Sequence, residues 1–348
     1  MMGKIDVAVV VGMVMAECAQ VGLMIAGKAA MSDGMTSFVF VFYSNALASL
    51  ILLPSSFLFH RSQLRPHLTL SLLGGFFLLG FLGTFAQFFG YVGIYYSSPT
   101  LGTAMLNLIP GFTFVLAVVF RMEKLDWRNS SGLAKSIGTV VLITGAFTLT
   151  YYKGPPLPLT PSTSNSSLKL FLQQSNWVIG GLLLLVDCFF ASTWLIVQAS
   201  ILKKFPAELI LVFFYCFFVA IQSAILCLFV DRNPSSWSLK SHIRLIAVLY
   251  SGIFGSTFQV GISTWCLHQT GPVFVAMFKP LGIVIAAAVG VIFAGDTLYL
   301  GSFIGGAVIV IGFYTVMWGK AKEEYVDTGV RSYDSQKSPL LQIDTEET

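Results

Sequence analysis

The sequence predicts an all-α integral membrane protein with ten transmembrane helices, arranged as two five-helix repeats of opposite orientation. Its composition is the first reason: 55% of the 348 residues are hydrophobic and 10% are charged, whereas a soluble protein carries about a quarter charged residues. The second reason is a series of long apolar runs, and the third is a match between the two halves of the chain.

Ten predominantly apolar runs are long enough to cross the membrane, since a spanning helix needs about 20 such residues. The first run contains Glu17 and lacks a small-residue cleavage site, so we expect a membrane helix and not a signal peptide. The ten runs cover residues 7–27, 37–59, 70–95, 99–120, 133–152, 177–199, 208–230, 243–267, 271–294 and 301–318.

Two polar stretches divide the chain into parts. The stretch GPPLPLTPSTSNSSLK after the fifth run is rich in Pro, Ser and Thr, which is typical of an irregular loop. The chain turns polar again after residue 318, which predicts a disordered cytosolic tail. The predicted parts are a first repeat at 5–152, an extracytosolic linker at 153–176, a second repeat at 177–318 and the tail at 319–348.

The distribution of basic residues predicts the orientation. Lys and Arg are about twice as frequent on the side of the two termini as on the opposite side, which is the asymmetry of a cytosolic face. We therefore expect both termini in the cytosol. Asn165, in the sequence Asn-Ser-Ser, would then lie on the opposite face, where glycosylation is possible.

The second half of the chain repeats the first in order. Glu17 corresponds to Asp187 at an offset of 170 residues, and Gln87 corresponds to Gln259 at an offset of 172. Further matches follow the same order: Phe42-Tyr43 with Phe214-Tyr215, Gly80 and Gly83 with Gly252 and Gly255, and Ala104-Met105 with Ala276-Met277. Because five spans are an odd number, the second repeat enters the membrane from the other side. Inverted repeats are the architecture of many secondary transporters, which expose one central site alternately to each side.

Lys279 lies in the segment VAMFKPLGIVIAAAVG, whose other residues are uncharged. A charge near the bilayer centre costs roughly 2.5–3.5 kcal/mol on insertion scales, so we expect the ammonium group to face away from lipid. At an offset of 172 residues Lys279 corresponds to Asn107. Each of the two precedes a proline, Pro280 or Pro110, which removes a helix hydrogen bond and predicts a kink. Kinked helices near the midplane are where transporters build their sites.

Helical spacing places several polar side chains on the faces that carry the two acids. We expect these faces to line a central cavity in which Lys279 binds a substrate carboxylate. Glu17 and Asp187 would hold an ammonium group or take up a proton. The predicted substrate-binding residues are Lys279, Asn107, Glu17, Asp187, Gln87, Gln259, Gln20, Trp194, Gln198, Tyr43 and Tyr215.

A structural role is the alternative for each of these residues. Lys279 can form a permanent ion pair with Glu17 or Asp187 that locks the bundle. Gln87 and Gln259 can be interhelical hydrogen bonds, worth about 0.6–2 kcal/mol. The aromatic residues are more often packing residues than ligand contacts.

Composition also indicates what the chain does not use. Its four His and five Cys are too scattered for a metal site, and we expect neither a metal nor a cofactor. All five cysteines lie in apolar runs, which predicts buried thiols and no disulfide. A net charge of +4 fits the cytosolic asymmetry better than nucleic-acid binding. No His has an acid five residues later, as His-x4-Asp enzymes require, so we expect no enzyme.

Several segments resemble a plant family. They include VFYSNALASLILLP, YYSSPTLGTAMLNLIPGFTFVLAVVFRMEKLDWR, LKKFPAEL, FKPLGIVIAAAVG and GDTLYLGSFIGGAVIVIGFYTVMWGK. Together they resemble the Walls-Are-Thin-related, nodulin-21-like transporters, the UMAMIT group of the EamA drug/metabolite transporter superfamily. The resemblance covers about residues 5–320. It implies a ten-helix inverted-repeat fold and amino-acid transport, bidirectional and export-capable, in the plasma membrane or the vacuolar membrane.

The leading hypothesis is a multi-pass carrier of small organic solutes, with amino acids as the expected substrate and the plasma membrane as the expected location. Its partners would be the solute, membrane lipid and, as a candidate coupling ion, the proton. The alternative is a carrier of auxin or another small carboxylate, for which Lys279 alone would be the anchor.

Overall fold

A computed structural model describes residues 7–58, 69–97, 102, 105–106, 108–122, 130–151, 170–230, 234–282 and scattered positions between 285 and 322. These residues form helices and connecting turns. The helices are α1 (Val7–Ser32), α2 (Ser37–Leu58), α3 (Leu70–Tyr96), α4 (Leu108–Val119), α5 (Ser130–Tyr151), α6 (Leu170–Lys204), α7 (Glu208–Val230), α8 (His242–Thr270) and α9 (Pro272–Met277).

Among the described residues, six helices are long and apolar enough to cross a membrane: α1, α2, α3, α6, α7 and α8. Their outward faces carry large apolar side chains that are more than half exposed, including Leu50, Leu182 and Ile246. Their inward faces bury acids and amides, among them Glu17 and Gln198, each 0% exposed. This distribution, apolar outside and polar inside, is that of a bundle whose solvent is lipid.

The described helices pack in pairs, and each pair joins one helix from the first half of the chain to one from the second half. α3 packs along α6, α2 along α7, and α1 along α8. Small residues let the backbones approach closely: a Cβ atom on Gly93 of α3 would lie 3.1 Å from the carbonyl oxygen of Gly180 on α6. Close packing over small residues drives helix association in lipid, where the hydrophobic effect does not act between helices.

α8 changes its winding in the middle of the membrane span. It is α-helical at His242–Tyr250 and Val260–Thr270, and π-helical at Ser251–Gln259 between them. The hydroxyl of Thr257 donates to the carbonyl of Gly252, five residues earlier, at 2.8 Å. π-Helical turns widen the helix and often occur at functional sites. The sequence analysis did not predict this stretch.

The two predicted kinks differ. Pro280 follows α9, and the chain turns through residues 278–280, where Lys279 N–H donates to the carbonyl of Ala276 at 3.1 Å. The helix is therefore interrupted at this proline. Pro110 instead lies in the first turn of α4, where a proline interrupts no hydrogen bond. The break in that span comes before Pro110, because α4 begins at Leu108.

Two polar contacts tie the ends of the helices together. Arg244, at the start of α8, bonds Asp33 in the turn after α1 with 2.9 Å between Nε and Oδ2, and it also donates to the carbonyl of Ser235 at 2.8 Å. Hydrogen bonds from Ser241 and Arg244 lower the pKa of Asp33. At the opposite ends, Nδ1 of His268 lies 2.6 Å from Oε1 of Glu208.

The observed helices correct some predicted boundaries. α6 begins at Leu170, inside the predicted linker 153–176, because residues 170–177 contain no Gly or Pro that would end a helix. The prediction of five buried cysteines was wrong for Cys18, which is exposed on the outer face of α1, whereas the other four are buried. All five thiols are free. The predicted tail lies almost entirely outside the described residues, which include 14 of the 24 positions of the predicted ninth span and 11 of the 18 positions of the tenth.

Candidate functional site

A cavity of about 170 Å³ lies in the centre of the bundle, between α1, α3, α6 and α8. Residues of α4, α7 and α9, the turn after α9, and Gly102 and Leu106 before α4 also contribute to its wall. The structure brings seven of the predicted substrate-binding residues to this wall: Gln20, Gln87, Asp187, Trp194, Tyr215, Gln259 and Lys279. They come from six different segments, so only the folded bundle brings them together.

Lys279 forms an ion pair on one side of the cavity. Its Nζ lies 2.8 Å from Oε1 of Glu17, and its side chain is 12% exposed. Glu17 is fully buried and is not among the described residues that line the cavity, and its other oxygen has no hydrogen-bond partner in the described part of the chain. Lys279 therefore faces a carboxylate and a cavity, and not lipid.

Asp187 occupies another part of the wall, on α6. The residue is 9% exposed and lies against α3, where a Cβ atom on Gly90 would be 3.0 Å from its Oδ2. Within the described part of the chain no side chain bonds this carboxylate. The two acids at matching repeat positions thus differ, because Glu17 is paired and Asp187 is open to the cavity.

A chain of side-chain hydrogen bonds holds one part of the wall. Asn45 of α2 donates to Gln87 of α3 at 3.1 Å, and Gln87 donates to the hydroxyl of Tyr215 on α7 at 2.9 Å. Gln87 is therefore both a helix-to-helix contact and a cavity residue. The match between the repeats does not predict a role for Asn45, because its counterpart in the second repeat is Phe217. An amide in an apolar span could have indicated a buried polar contact, and Asn45 is indeed buried.

Aromatic rings form the side of the cavity next to this chain. The ring centroids of Trp194 and Tyr215 are 5.4 Å apart at an angle of 56°, and Tyr91 also lines the cavity. The indole nitrogen of Trp194 is buried and has no hydrogen-bond partner among the residues that the structure describes. A buried donor without a partner is costly, so a bound solute or water that accepts from it would be favoured.

The remaining predicted residues lie elsewhere. Gln198 is buried below the cavity and donates to Thr264 at 2.7 Å. Tyr43 donates to the carbonyl of Trp237 at 3.1 Å, near the end of the bundle. Both make structural contacts in this conformation. Asn107 and Asn165 lie outside the described residues.

The described residues hold no group of three His, Cys, Asp or Glu side chains that could bind a metal ion. The cavity wall instead combines one ammonium group, one open carboxylate, three amides and three aromatic rings. Such a wall can bind a small polar solute through charges and hydrogen bonds.

The profile of the EamA-like transporter family matches the chain twice, at residues 8–145 and 178–318. The chain belongs to this family. The two matches together cover every residue of the cavity wall, and they cover the described helices except for Val7, residues 146–151 at the end of α5 and residues 170–177 at the start of α6.

Relatives of this EamA-like protein occur among the WAT1-related proteins of Arabidopsis thaliana. One is 48% identical over 97% of this chain and 96% of its own length, and a second is 45% identical over 97% and 92%. A third is 44% identical over 97% of this chain and 94% of its own length. The protein is therefore a plant WAT1-related EamA transporter.

One solved crystal structure shares the fold of this EamA-like protein. Its TM-score is 0.64 at 13% identity, and the match covers 92% of this chain and 100% of the other. Together with the six spanning helices, the family establishes a multi-pass membrane transporter of small solutes. The cavity is where such a solute would bind.

Proposed function

We propose that this transporter carries amino acids across the membrane by alternating access around the central cavity. One observation carries the proposal: the cavity wall holds both an ammonium group, Lys279, and a carboxylate open to the solute, Asp187. An amino acid presents the complementary pair of charges. Gln20 and Gln259 supply neutral donors and acceptors for a polar side chain.

Alternating access needs two parts that move against each other, and the ten-helix inverted repeat would provide them. The double match of the family profile supports this arrangement. Equivalent glycines also make equivalent contacts. A Cβ atom on Gly80 of α3 would lie 2.7 Å from Phe218 of α7, and one on Gly252 of α8 would lie 2.6 Å from Leu47 of α2. A two-fold axis that relates the repeats would place the contact of α3 with α7 onto the contact of α8 with α2.

The location and direction of transport follow from the sequence and the resemblance. We place the protein in the plasma membrane with both termini in the cytosol, as the distribution of Lys and Arg indicates. Transport would be bidirectional and would permit export. A proton is the candidate coupling ion, because the wall carries a carboxylate, Asp187, that no described side chain binds by a hydrogen bond or an ion pair.

A carrier of auxin or another small carboxylate is less well supported. That alternative needs Lys279 as the anchor for an anion, but Lys279 already pairs with Glu17 at 2.8 Å. An anion entering the cavity would share the ammonium group with Glu17 and would also meet Asp187.

Counterflow in proteoliposomes tests the proposal. Purified protein is reconstituted, and uptake of labelled glutamine, histidine, aspartate, auxin and a purine is measured against an internal pool of the same solute. We expect uptake of glutamine and histidine above that of protein-free vesicles. Uptake of auxin without any amino acid, or no uptake of the five solutes, would contradict the proposal.

A further inference from the structure

Asp187 is the carboxylate of the cavity wall whose charge no described side chain balances by an ion pair. It is 9% exposed, lines the cavity and accepts no hydrogen bond from a described side chain. Gly90 leaves room for it, since a Cβ atom there would come within 3.0 Å of Oδ2. A buried carboxylate requires a partner of opposite charge or a proton, and the cavity is where that partner can enter.

The charge of Lys279 acts on this carboxylate, but the ion pair of Lys279 is with Glu17. This lysine is the basic residue of the cavity wall, and Glu17 lies 2.8 Å from its Nζ. The pair of Lys279 and Glu17 is neutral as a unit. With Asp187 ionised, the site as a whole therefore carries one negative charge, and this charge lies on α6.

The surroundings of Asp187 also suit a cation. Trp194 lies two helical turns further along α6 and faces the same cavity, with Tyr215 at a centroid distance of 5.4 Å. Aromatic faces attract ammonium groups through their negative potential, most strongly when the site is desolvated. The carboxylate and the rings thus favour the same kind of ligand group.

We propose that Asp187 binds the positively charged amino group of the solute, and that the cavity requires this group and not a carboxylate. The inference rests on the proposed transport of amino acids, and it specifies which group of the solute the cavity must bind. The substrate class is small ammonium compounds, including amines that have no carboxylate. A solute carboxylate is tolerated because Lys279 has three N–H donors and uses one on Glu17.

Two derivatives of glutamine test separately whether binding requires the ammonium group or the carboxylate. Glutamine α-amide keeps the ammonium group and has no carboxylate, whereas N-acetylglutamine keeps the carboxylate and has no ammonium group. Binding is measured as the rise in the melting temperature of the purified protein, so the result does not depend on transport. We expect the α-amide to bind within about tenfold of glutamine, a difference below about 1.4 kcal/mol, and N-acetylglutamine to cause no shift.

Asp187→Asn removes the charge with little change of shape. We expect the variant to unfold at the wild-type temperature without solute and to bind the α-amide at least about tenfold more weakly. The matched control is Glu208→Gln, which removes a carboxylate that bonds His268 outside the cavity; its affinity should be unchanged. If Asp187→Asn does not fold, Gly90→Ala replaces it, because the new Cβ crowds the same carboxylate and should weaken binding in the same way.

The inference is overturned if N-acetylglutamine binds as well as glutamine, if the α-amide does not bind, or if the folded Asp187→Asn variant binds the α-amide with wild-type affinity. Failure of the proposed function has another signature. The α-amide would then bind through Asp187, while counterflow shows no uptake of glutamine or histidine.

Discussion

The ion pair of Lys279 and Glu17 joins α1 to the interrupted segment after α9. Glu17 is fully buried and Lys279 is 12% exposed at its side chain. In such a place the attraction between the two charges offsets the cost of removing them from water, but a single charge left alone is strongly destabilising. The pair therefore has a structural role, and Lys279 also faces the cavity.

The stability of the pair gives a test at the scale of the residue. Lys279→Met leaves Glu17 buried without its partner, and we expect a loss of about 3–5 kcal/mol in the free energy of unfolding. The double variant Lys279→Met with Glu17→Gln removes both charges and should recover most of this loss. Thermal unfolding of the detergent-solubilised proteins measures both. A double variant less stable than the single one would contradict the account.

The match between the repeats predicts five polar or aromatic residues of the cavity wall but does not tell their roles apart: Gln87, Asp187, Tyr215, Gln259 and Lys279. Glu17 and Asp187 are equivalent in the repeat, yet one is paired and the other is open. The difference arises because Lys279 has no acidic or basic counterpart in the first repeat, where Asn107 stands. Only the folded structure shows which acid the lysine reaches.

Glycines determine how closely neighbouring helices approach each other. Gly180 of α6 lies against α3, where a Cβ atom would come within 2.9 Å of the carbonyl oxygen of Gly93. Its neighbour Gly181 has nothing within 4 Å. The two residues differ by one position along the same helix, so they form a matched pair.

We expect Gly180→Ala to destabilise the protein by about 1–3 kcal/mol, because the added methyl group forces α3 and α6 apart. Gly181→Ala should be neutral or stabilising by up to about 1 kcal/mol, because alanine restricts the unfolded chain more than glycine does. Melting temperatures of the two variants measure the difference. Equal melting temperatures would show that the contact does not limit the packing of the two helices.

The sequence predicts which segments form spanning helices, but it does not predict where the winding of a helix changes. Apolar length alone predicts α1, α2, α3, α6, α7 and α8, because each must satisfy its backbone hydrogen bonds inside lipid. The π-helical stretch at Ser251–Gln259 contains no proline, and its glycines Gly252 and Gly255 do not mark it, because the equivalent Gly80 and Gly83 lie in the continuous α-helix α3. Both glycines of the stretch pack against side chains of other helices, Leu47 of α2 and Leu23 of α1.

At the scale of the whole molecule, the helices of the two halves interlock around one cavity. α1 and α3 come from the first half, and α6 and α8 from the second. The polar contacts Arg244–Asp33 and Glu208–His268 hold opposite ends of the bundle in this conformation.

The central claim is that the cavity is the path of the transported solute, and labelling of a single cysteine in its wall tests it most directly. Ala191 lines the cavity on α6, and Leu182 is 60% exposed on the outer face of the same helix. In a Cys18→Ser background, which removes the exposed native thiol, Ala191→Cys and Leu182→Cys are each treated with a small hydrophilic thiol reagent in proteoliposomes. We expect Ala191→Cys to react with the reagent and to lose counterflow when it does. Glutamine should protect this cysteine at the concentrations that saturate transport. Leu182→Cys should react slowly with or without glutamine. Reaction at Ala191→Cys that glutamine does not slow, or full counterflow by the labelled protein, would contradict the claim.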